Sequence, residues 1–195
     1  RHKLFPIKLG FNNKKYYPIS KIRKKFFLII GRHNPHKNLR RVIKAFAYSK
    51  INDYKLIFVG PFDKRHTPIL LKLIDKHNIR HLCVWKGWID DDEKLSLLNE
   101  CHALIIASLW EGFGLPALEA MACGTPVIAS DRGALREVMG NYGYFINPFN
   151  IQSIACAMNA VINDKKCFEK ALQEGPSRAE SFNWLDTART IEKII

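Results

Sequence analysis

Short apolar runs alternate along this chain with segments in which apolar residues recur at helical spacing. Each run is four to six residues long and is rich in aliphatic side chains, which is typical of strands buried on both faces. The six predicted strands are Lys25–Ile30, Tyr54–Val59, His81–Trp85, Ala103–Ala107, Pro126–Ser130 and Gly143–Ile146. Repeated strand–helix units of this kind predict an α/β fold, a parallel sheet with helices on both faces.

Helical spacing follows the strands. It predicts helices over Leu39–Ser49, around Ile69–Ile74, from the aspartates Asp90–Asp92 onward, after Arg132 and over Ile151–Ile162. The tail from Phe168 to Ile195 is also predicted to be helical, with a break near Gly175 and Pro176. Because acidic residues favour the positive end of a helix dipole, Asp90–Asp92 are interpreted as a helix start and not as a metal site.

The central stretch, SLWEGFGLPALEAMACGTPVIAS, holds two carboxylates separated by seven residues, Glu111 and Glu119. Between them a Gly-Phe-Gly turn opens a helix whose first N–H groups are unpaired, so anions bind there. Carboxylates accept hydrogen bonds from sugar hydroxyls, so the stretch suits a ligand with both groups, such as a nucleotide-sugar. The alternative is a tight connection with Pro116 in the first helical turn and a solvated Glu119. Helical spacing places Glu119 on the core side, where it needs a partner.

Two cations flank a proline in the loop GRHNPHKN, after the first strand. Arg32 and Lys37 are close enough in sequence to reach one diphosphate and to neutralise the charge on a departing nucleoside diphosphate without a metal. The alternative is a basic surface loop, which is how we interpret His33. Arg32, Gly60, Gly87 and Glu111 all follow predicted strand ends, where open parallel sheets bind ligands.

Charge and cysteine content narrow the class of protein. The net charge is +13, and residues 1–52 hold 15 of the 31 Lys and Arg but no Asp or Glu. Such a segment attracts nucleotide phosphates, anionic lipid headgroups or nucleic acid. Aliphatic strands argue against RNA binding by the sheet, which requires exposed aromatic residues. Five scattered cysteines without a CxxC pair indicate a reducing compartment and neither a disulfide framework nor a zinc site.

This chain resembles the group 1 glycosyltransferases. The resemblance lies in the two glutamates around the Gly-Phe-Gly turn, in the GTPVIAS run that ends the central stretch, and in the GRHNPHKN loop. These are retaining enzymes with two Rossmann-like domains, the GT-B architecture. The resemblance implies that this chain is the C-terminal, donor-binding half. It assigns residues 1–25 to an interdomain linker, 26–180 to the donor domain, and 181–195 to a helix that crosses to the N-terminal, acceptor-binding domain, which this sequence lacks.

The resemblance also implies residue roles. Glu111 would contact the donor sugar and Glu119 the ribose, while Arg32 and Lys37 would bind the diphosphate; Glu111, Arg32 and Lys37 are the candidate catalytic residues. The further donor contacts are the backbone at Gly112, Phe113, Gly114 and Leu115, the base-contacting loop at Trp88 and Ile89, and Gly60. A strand-ending turn explains Gly60 nearly as well.

The expected ligand is a UDP-sugar or a GDP-sugar, bound without a metal or another cofactor, and the GRHNPHKN loop slightly favours GDP-mannose. The expected role is hexosyl transfer in polysaccharide or lipopolysaccharide biosynthesis, in the cytoplasm, with a peripheral position on the inner membrane face left open. This chain alone is expected to bind the donor without transferring it. The alternatives are a nucleotide-sugar epimerase or glycan synthase of the same fold and, less favoured, a basic nucleic-acid or membrane-binding module.

Overall fold

A computed structural model describes residues 5–19 and 22–194. Six parallel strands form one sheet in the order β3-β2-β1-β4-β5-β6. The strands are β1 Phe26–Ile30, β2 Lys55–Val59, β3 Cys83–Lys86, β4 Ala103–Ile106, β5 Val127–Ser130 and β6 Tyr144–Ile146. All six predicted strands are confirmed, with ends that differ by a few residues. The largest difference is at β3, where a 3₁₀ turn, Arg80–Leu82, replaces its predicted first residues.

Eight α-helices accompany the strands in the described part of the chain. They are α1 Leu39–Ser49, α2 Thr67–Lys76, α3 Asp91–Glu100, α4 Leu115–Ala122, α5 Leu135–Met139, α6 Ile151–Asn163, α7 Cys167–Glu180 and α8 Trp184–Glu192. At the start of α3 the Asp90 carboxylate accepts a hydrogen bond from the Glu93 N–H at 2.7 Å. The aspartates therefore begin a helix, as predicted.

Two apolar layers sandwich the sheet. Successive strand residues point to opposite faces, so Phe27 packs with α1, α2 and α6 on one side, and Leu28 packs with α3, α4, α5 and α7 on the other. Both side chains have no exposed surface. The α/β prediction of a parallel sheet covered on both faces is confirmed.

The predicted break near Gly175 and Pro176 is wrong, because α7 continues through both residues to Glu180. Gly175 lets α7 pack closely on α4: a Cβ at this position would lie 2.5 Å from the Met121 carbonyl oxygen. That packing offsets the backbone hydrogen bond that Pro176 cannot donate. The chain turns instead before α8, where Asn183 caps the helix by accepting a hydrogen bond from the Asp186 N–H.

The segment before β1 packs against the C-terminal helix. The Phe11 N–H donates to the Phe182 carbonyl at 3.2 Å, and the Thr187 hydroxyl donates to the Lys8 carbonyl at 2.8 Å. Residues 5–10 form no strand. Residues 1–4, 20–21 and 195, which fall within the predicted linker and C-terminal helix, lie outside the described residues. Within the described ranges, no helix has the length and apolar character needed to cross a membrane.

Candidate functional site

Strand order creates a crevice between β1 and β4. From β1 the sheet continues through β2 to β3, and from β4 it continues the other way to β6, so the loops after β1 and β4 diverge at their carboxyl ends. These two loops are joined where the Leu109 N–H donates to the His36 carbonyl at 2.7 Å. The loops after β2 and β3 also meet, since the Gly60 N–H lies 3.1 Å from the Gly87 carbonyl oxygen. The expected convergence of loops at one edge of the sheet is present.

An ion pair crosses this crevice. The Lys37 ammonium lies 2.6 Å from Glu111 Oε1, and the Ser108 hydroxyl donates to the same oxygen at 2.6 Å. The Lys37 and Glu111 side chains are only 19% and 14% exposed. Glu111 Oε2 accepts no hydrogen bond from the described residues and is therefore available to a ligand. Two of the predicted site residues thus hold each other in place.

Asn38 fixes the loop that carries Lys37. The Asn38 backbone has φ +59°, which ends the 3₁₀ turn Pro35–Lys37 and begins α1. The buried Asn38 amide donates to the carbonyls of Ala107 at 2.9 Å and Pro148 at 2.7 Å. One side chain therefore joins the loops after β1, β4 and β6, which limits movement of Lys37 relative to Glu111.

The N-terminus of α4 opens beside Glu111. Gly114 precedes the helix with φ +94°, no side chain caps the first turn, and no acidic residue lies in it. Pro116 has no N–H and the Ala117 N–H donates to the Gly114 carbonyl at 2.8 Å, so the Leu115 N–H and the helix dipole are what make this end suitable for an anion. Gly133 approaches closely from the next loop, because a Cβ there would lie 2.4 Å from the Glu111 carbonyl oxygen. That carbonyl also accepts the Ala134 N–H at 3.1 Å, so the Glu111 backbone is held from both sides.

Glu119 has the partner that its core-side position requires. The Lys94 ammonium on α3 lies 2.6 Å from Glu119 Oε1, and the Glu119 side chain is 12% exposed. Glu119 Oε2 is buried and has no hydrogen-bond partner among the described residues. Both glutamates therefore pair one oxygen with a lysine. The Tyr16 hydroxyl also lies near the Glu119 carboxylate, since burial and then this carboxylate raise the pKa of Tyr16.

The remaining predicted residues surround these two pairs. Arg32 is exposed and makes no hydrogen bond or ion pair with the described residues. Trp88 is 80% exposed, and Leu115 is also exposed. Phe113 and Ile89 are half-buried against the core. The structure thus joins Lys37 to Glu111 and places Glu119 with Lys94, but it links Arg32 to neither pair.

Sequence reasoning missed Ser108, Asn38, Lys94 and Gly133. Asn38 lies within the GRHNPHKN loop, so the motif itself marked the region without indicating a role for this residue. Ser108 lies within the central stretch and pairs with Glu111 three residues later, but its hydroxyl had no assigned role. Lys94 and Gly133 become significant only through partners on different elements, and the sequence carries no signal for those pairings.

The interpretation of His33 as a loop residue without a partner is wrong in one respect, because its side chain is buried. His33 Nδ1 lies 2.8 Å from the Thr67 hydroxyl oxygen, and its ring packs edge-on against Trp85 with centroids 4.8 Å apart. Trp85 in turn stacks on Phe58 and packs against the core. Burial lowers the pKa of His33, and burial likewise lowers the pKa of His102.

We expect acid to destabilise the fold through these two histidines. As the pH falls below about 6.5, imidazoles in the unfolded chain take up protons that buried His33 and His102 do not, so the free energy of unfolding falls. One such group contributes at most about 1.4 kcal/mol per pH unit. Denaturant unfolding at pH 7.5 and 5.5 should show this loss, and a His33→Gln variant should reduce it. The exposed His81→Gln is the control; an identical pH dependence in all three proteins would contradict the explanation.

Sheet order and the crevice at the strand-order reversal define a Rossmann-like α/β domain. The family model described as glycosyl transferases group 1 matches residues 13–178, so this chain belongs to the group 1 glycosyltransferase family. The serotype-specific mannosyltransferase WbdA of Escherichia coli is 28% identical over 167 residues, which cover 84% of this chain and 20% of that protein.

Two solved structures confirm the architecture. Sucrose-phosphate synthase from Thermosynechococcus elongatus matches with a TM-score of 0.86 and 26% identity, over 96% of this chain and 51% of that chain. The C-terminal domain of a glycosyl transferase group 1 family protein (LpcC) from Francisella tularensis matches with a TM-score of 0.76 and 28% identity, over 88% of this chain and 97% of that domain. The chain therefore has the fold of the C-terminal half of a GT-B glycosyltransferase. It spans less than half of the length of the first curated relatives that it matches.

Proposed function

We propose that this chain binds the nucleoside diphosphate sugar from which a retaining glycosyltransferase transfers a hexosyl group. The observation that carries the proposal is the Lys37–Glu111 pair, placed across the crevice beside the open N-terminus of α4. A cation and the positive end of a helix dipole suit a diphosphate, and a carboxylate with one unpaired oxygen suits the hydroxyls of a sugar. A nucleotide-sugar presents both chemistries on adjacent atoms.

Each group has a distinct task in this proposal. The diphosphate lies at the first turn of α4, where Lys37 and the exposed Arg32 neutralise the charge that develops as the glycosidic bond breaks. Glu111 accepts hydrogen bonds from the sugar through Oε2, and Glu119 accepts them from the ribose through its own Oε2. The exposed indole of Trp88, after β3, offers a surface for the base. The two cations supply the charge stabilisation that other transferases obtain from a metal.

The donor we favour is GDP-mannose. Its support is the mannosyltransferase relative reported above and the similarity of the GRHNPHKN loop to loops of mannosyltransferases. A UDP-sugar is the alternative. The acceptor, a glycan or a lipid-linked glycan, would bind to a second domain. The relatives are long enough to contain such a domain in addition to the matched part.

Calorimetric titration of the chain with GDP, GDP-mannose, UDP and UDP-glucose, with magnesium or with EDTA, tests the proposal. We expect binding that is selective for one base and unaffected by EDTA. Glu119→Gln should weaken both the nucleoside diphosphate and its sugar conjugate, because the ribose is common to both. Glu111→Gln should weaken only the sugar conjugate. Equal losses of the nucleoside diphosphate in both variants would contradict this division of roles, and the absence of binding by any of the four ligands would contradict the proposal.

Two alternatives are less well supported. Several basic residues of the first third are paired with acidic residues of later segments, among them Lys15 with Asp91 and Lys25 with Asp53, which reduces the basic surface open to nucleic acid. A nucleotide-sugar epimerase would use the same crevice, and analysis of the products formed by the full-length protein separates the two reactions. For the whole protein, we propose as a further possibility a peripheral position at the membrane.

A further inference from the structure

The segment before β1 lies along one face of α3. The Lys15 ammonium pairs with Asp91 near the start of the helix. Near its end, the Asn99 amide donates to the Tyr17 carbonyl at 3.1 Å, and its oxygen accepts the Ile19 N–H at 2.7 Å. Asp91 and Asn99 are eight residues apart and so lie on the same side of a helix. The segment is therefore attached to α3 along nearly its whole length.

Lys94 lies on the same helix between these two attachments, and it connects the segment to Glu119. Its ammonium is 2.6 Å from Glu119 Oε1 and 5.4 Å from the centroid of the Tyr16 ring. Tyr16 is 7% exposed and stacks on Phe11. The Lys94 and Glu119 side chains are only 21% and 12% exposed, so water competes weakly for the pair. The cation is thus enclosed between an aromatic face and a carboxylate.

We propose that Lys94 is a positioning residue for the donor site, supported from behind by Tyr16. By holding Oε1, Lys94 fixes the rotation of the Glu119 carboxylate and keeps Oε2 directed away from the pair. Oε2 is the buried oxygen without a partner among the described residues. A buried oxygen that accepts no hydrogen bond destabilises the protein, and a ligand hydroxyl that donates to this oxygen removes that penalty. This inference rests on the function proposed above, in which the hydroxyl that donates to Oε2 belongs to the ribose of the nucleotide.

The contact also couples nucleotide affinity to the segment before β1. Displacement of residues 15–19 from α3 would move Tyr16 away from Lys94, and the Lys94 ammonium would then turn toward solvent. Glu119 would then lose the partner that orients it. Nucleotide binding should in turn stabilise the attachment of this segment, because coupling between two sites is reciprocal.

Substitution of Lys94 combined with ribose analogues tests the inference. Calorimetry compares the nucleoside diphosphate that the wild-type chain binds with its 2′,3′-dideoxy analogue. Lys94→Met should weaken the ribonucleotide about tenfold, equivalent to one hydrogen bond, and should change binding of the dideoxy analogue less than about twofold. Tyr16→Leu should produce a smaller loss with the same selectivity for the ribonucleotide. Glu119→Gln combined with Lys94→Met should weaken the ribonucleotide no more than the larger single effect, because the two residues act as a unit.

A matched control is provided by another lysine that pairs with the same helix. Lys86 pairs with Glu93 of α3 as Lys94 pairs with Glu119, but the Lys86 pair is more exposed and does not involve Glu119. Lys86→Met should leave both affinities unchanged. Equal losses of the ribonucleotide and its dideoxy analogue in Lys94→Met and Tyr16→Leu, or no loss in either, would overturn the inference. If the wild-type chain binds no nucleoside diphosphate, the proposed function fails first and the inference fails with it.

Discussion

Replacing Lys37 by alanine is expected to weaken binding of the nucleoside diphosphate by about 1.5–3 kcal/mol, the range for a hydrogen bond to a charged group. This corresponds to roughly a 10- to 150-fold increase in the dissociation constant. There are two physical reasons: the diphosphate loses a cation, and it meets the negative charge of Glu111, which is 14% exposed and no longer paired. Calorimetric titration of wild type and variant measures the change.

Two comparisons separate these causes. Lys44→Ala removes a lysine from α1 that makes no ion pair with the described residues, and it should leave the affinity unchanged. Glu111→Gln keeps Lys37 and removes only the carboxylate charge, so it should retain binding of the nucleoside diphosphate. If Lys37→Ala binds the nucleoside diphosphate as tightly as wild type, the diphosphate does not contact Lys37.

The second large effect is expected at Gly60, where alanine should destabilise the fold by about 3 kcal/mol. Gly60 has φ +144°, a conformation that costs other residues about 1–3 kcal/mol. A Cβ there would also lie 2.1 Å from the Gly31 carbonyl oxygen, so the backbone of the loop after β1 must shift. Overpacking of this kind costs a further 1–3 kcal/mol or so. Denaturant unfolding of wild type and Gly60→Ala measures the loss.

Gly87 provides the matched control, since it follows β3 as Gly60 follows β2. A Cβ at Gly87 meets no atom within 4 Å, and its φ is not positive. Gly87→Ala should therefore change the free energy of unfolding by less than about 0.5 kcal/mol. Equal stabilities of Gly60→Ala and Gly87→Ala would show that the loops after β1 and β2 are not in contact. Because the Gly31 loop also carries Lys37, Gly60→Ala should weaken the nucleoside diphosphate as well.

The fold could be predicted from the sequence because the strands of a buried parallel sheet appear as a clear pattern of apolar runs. Strands such as Ala103–Ile106 are buried on both faces and therefore read as uniform aliphatic runs. Local signals were weaker where packing overrides propensity. Gly175 and Pro176 favour a break when considered alone, yet the close approach of α7 to the Met121 carbonyl keeps them helical. The prediction of a surface position for His33 is wrong for a related reason, since its burial depends on Thr67 and Trp85 from other elements.

The residues of the candidate site could be named from the sequence, but the pairings between them could not. The spacing of Glu111 and Glu119 and the position of Lys37 after the first strand pointed to the crevice. The need of Glu119 for a partner followed from helical periodicity, but the identity of that partner did not. Lys94 lies 25 residues earlier on a different helix, and only the packing of α3 against α4 brings the two charges to 2.6 Å. Such pairings depend on tertiary geometry that periodicity does not carry.

The most direct test of the central claim, that a nucleotide-sugar binds in the crevice between β1 and β4, is amide hydrogen exchange with and without saturating donor. The account predicts slower exchange in residues 31–38 and 108–115, where the Lys37 loop and the N-terminus of α4 lie, with little change in α6. Binding of the donor without protection of these two segments, or with protection confined to other parts of the chain, would contradict it.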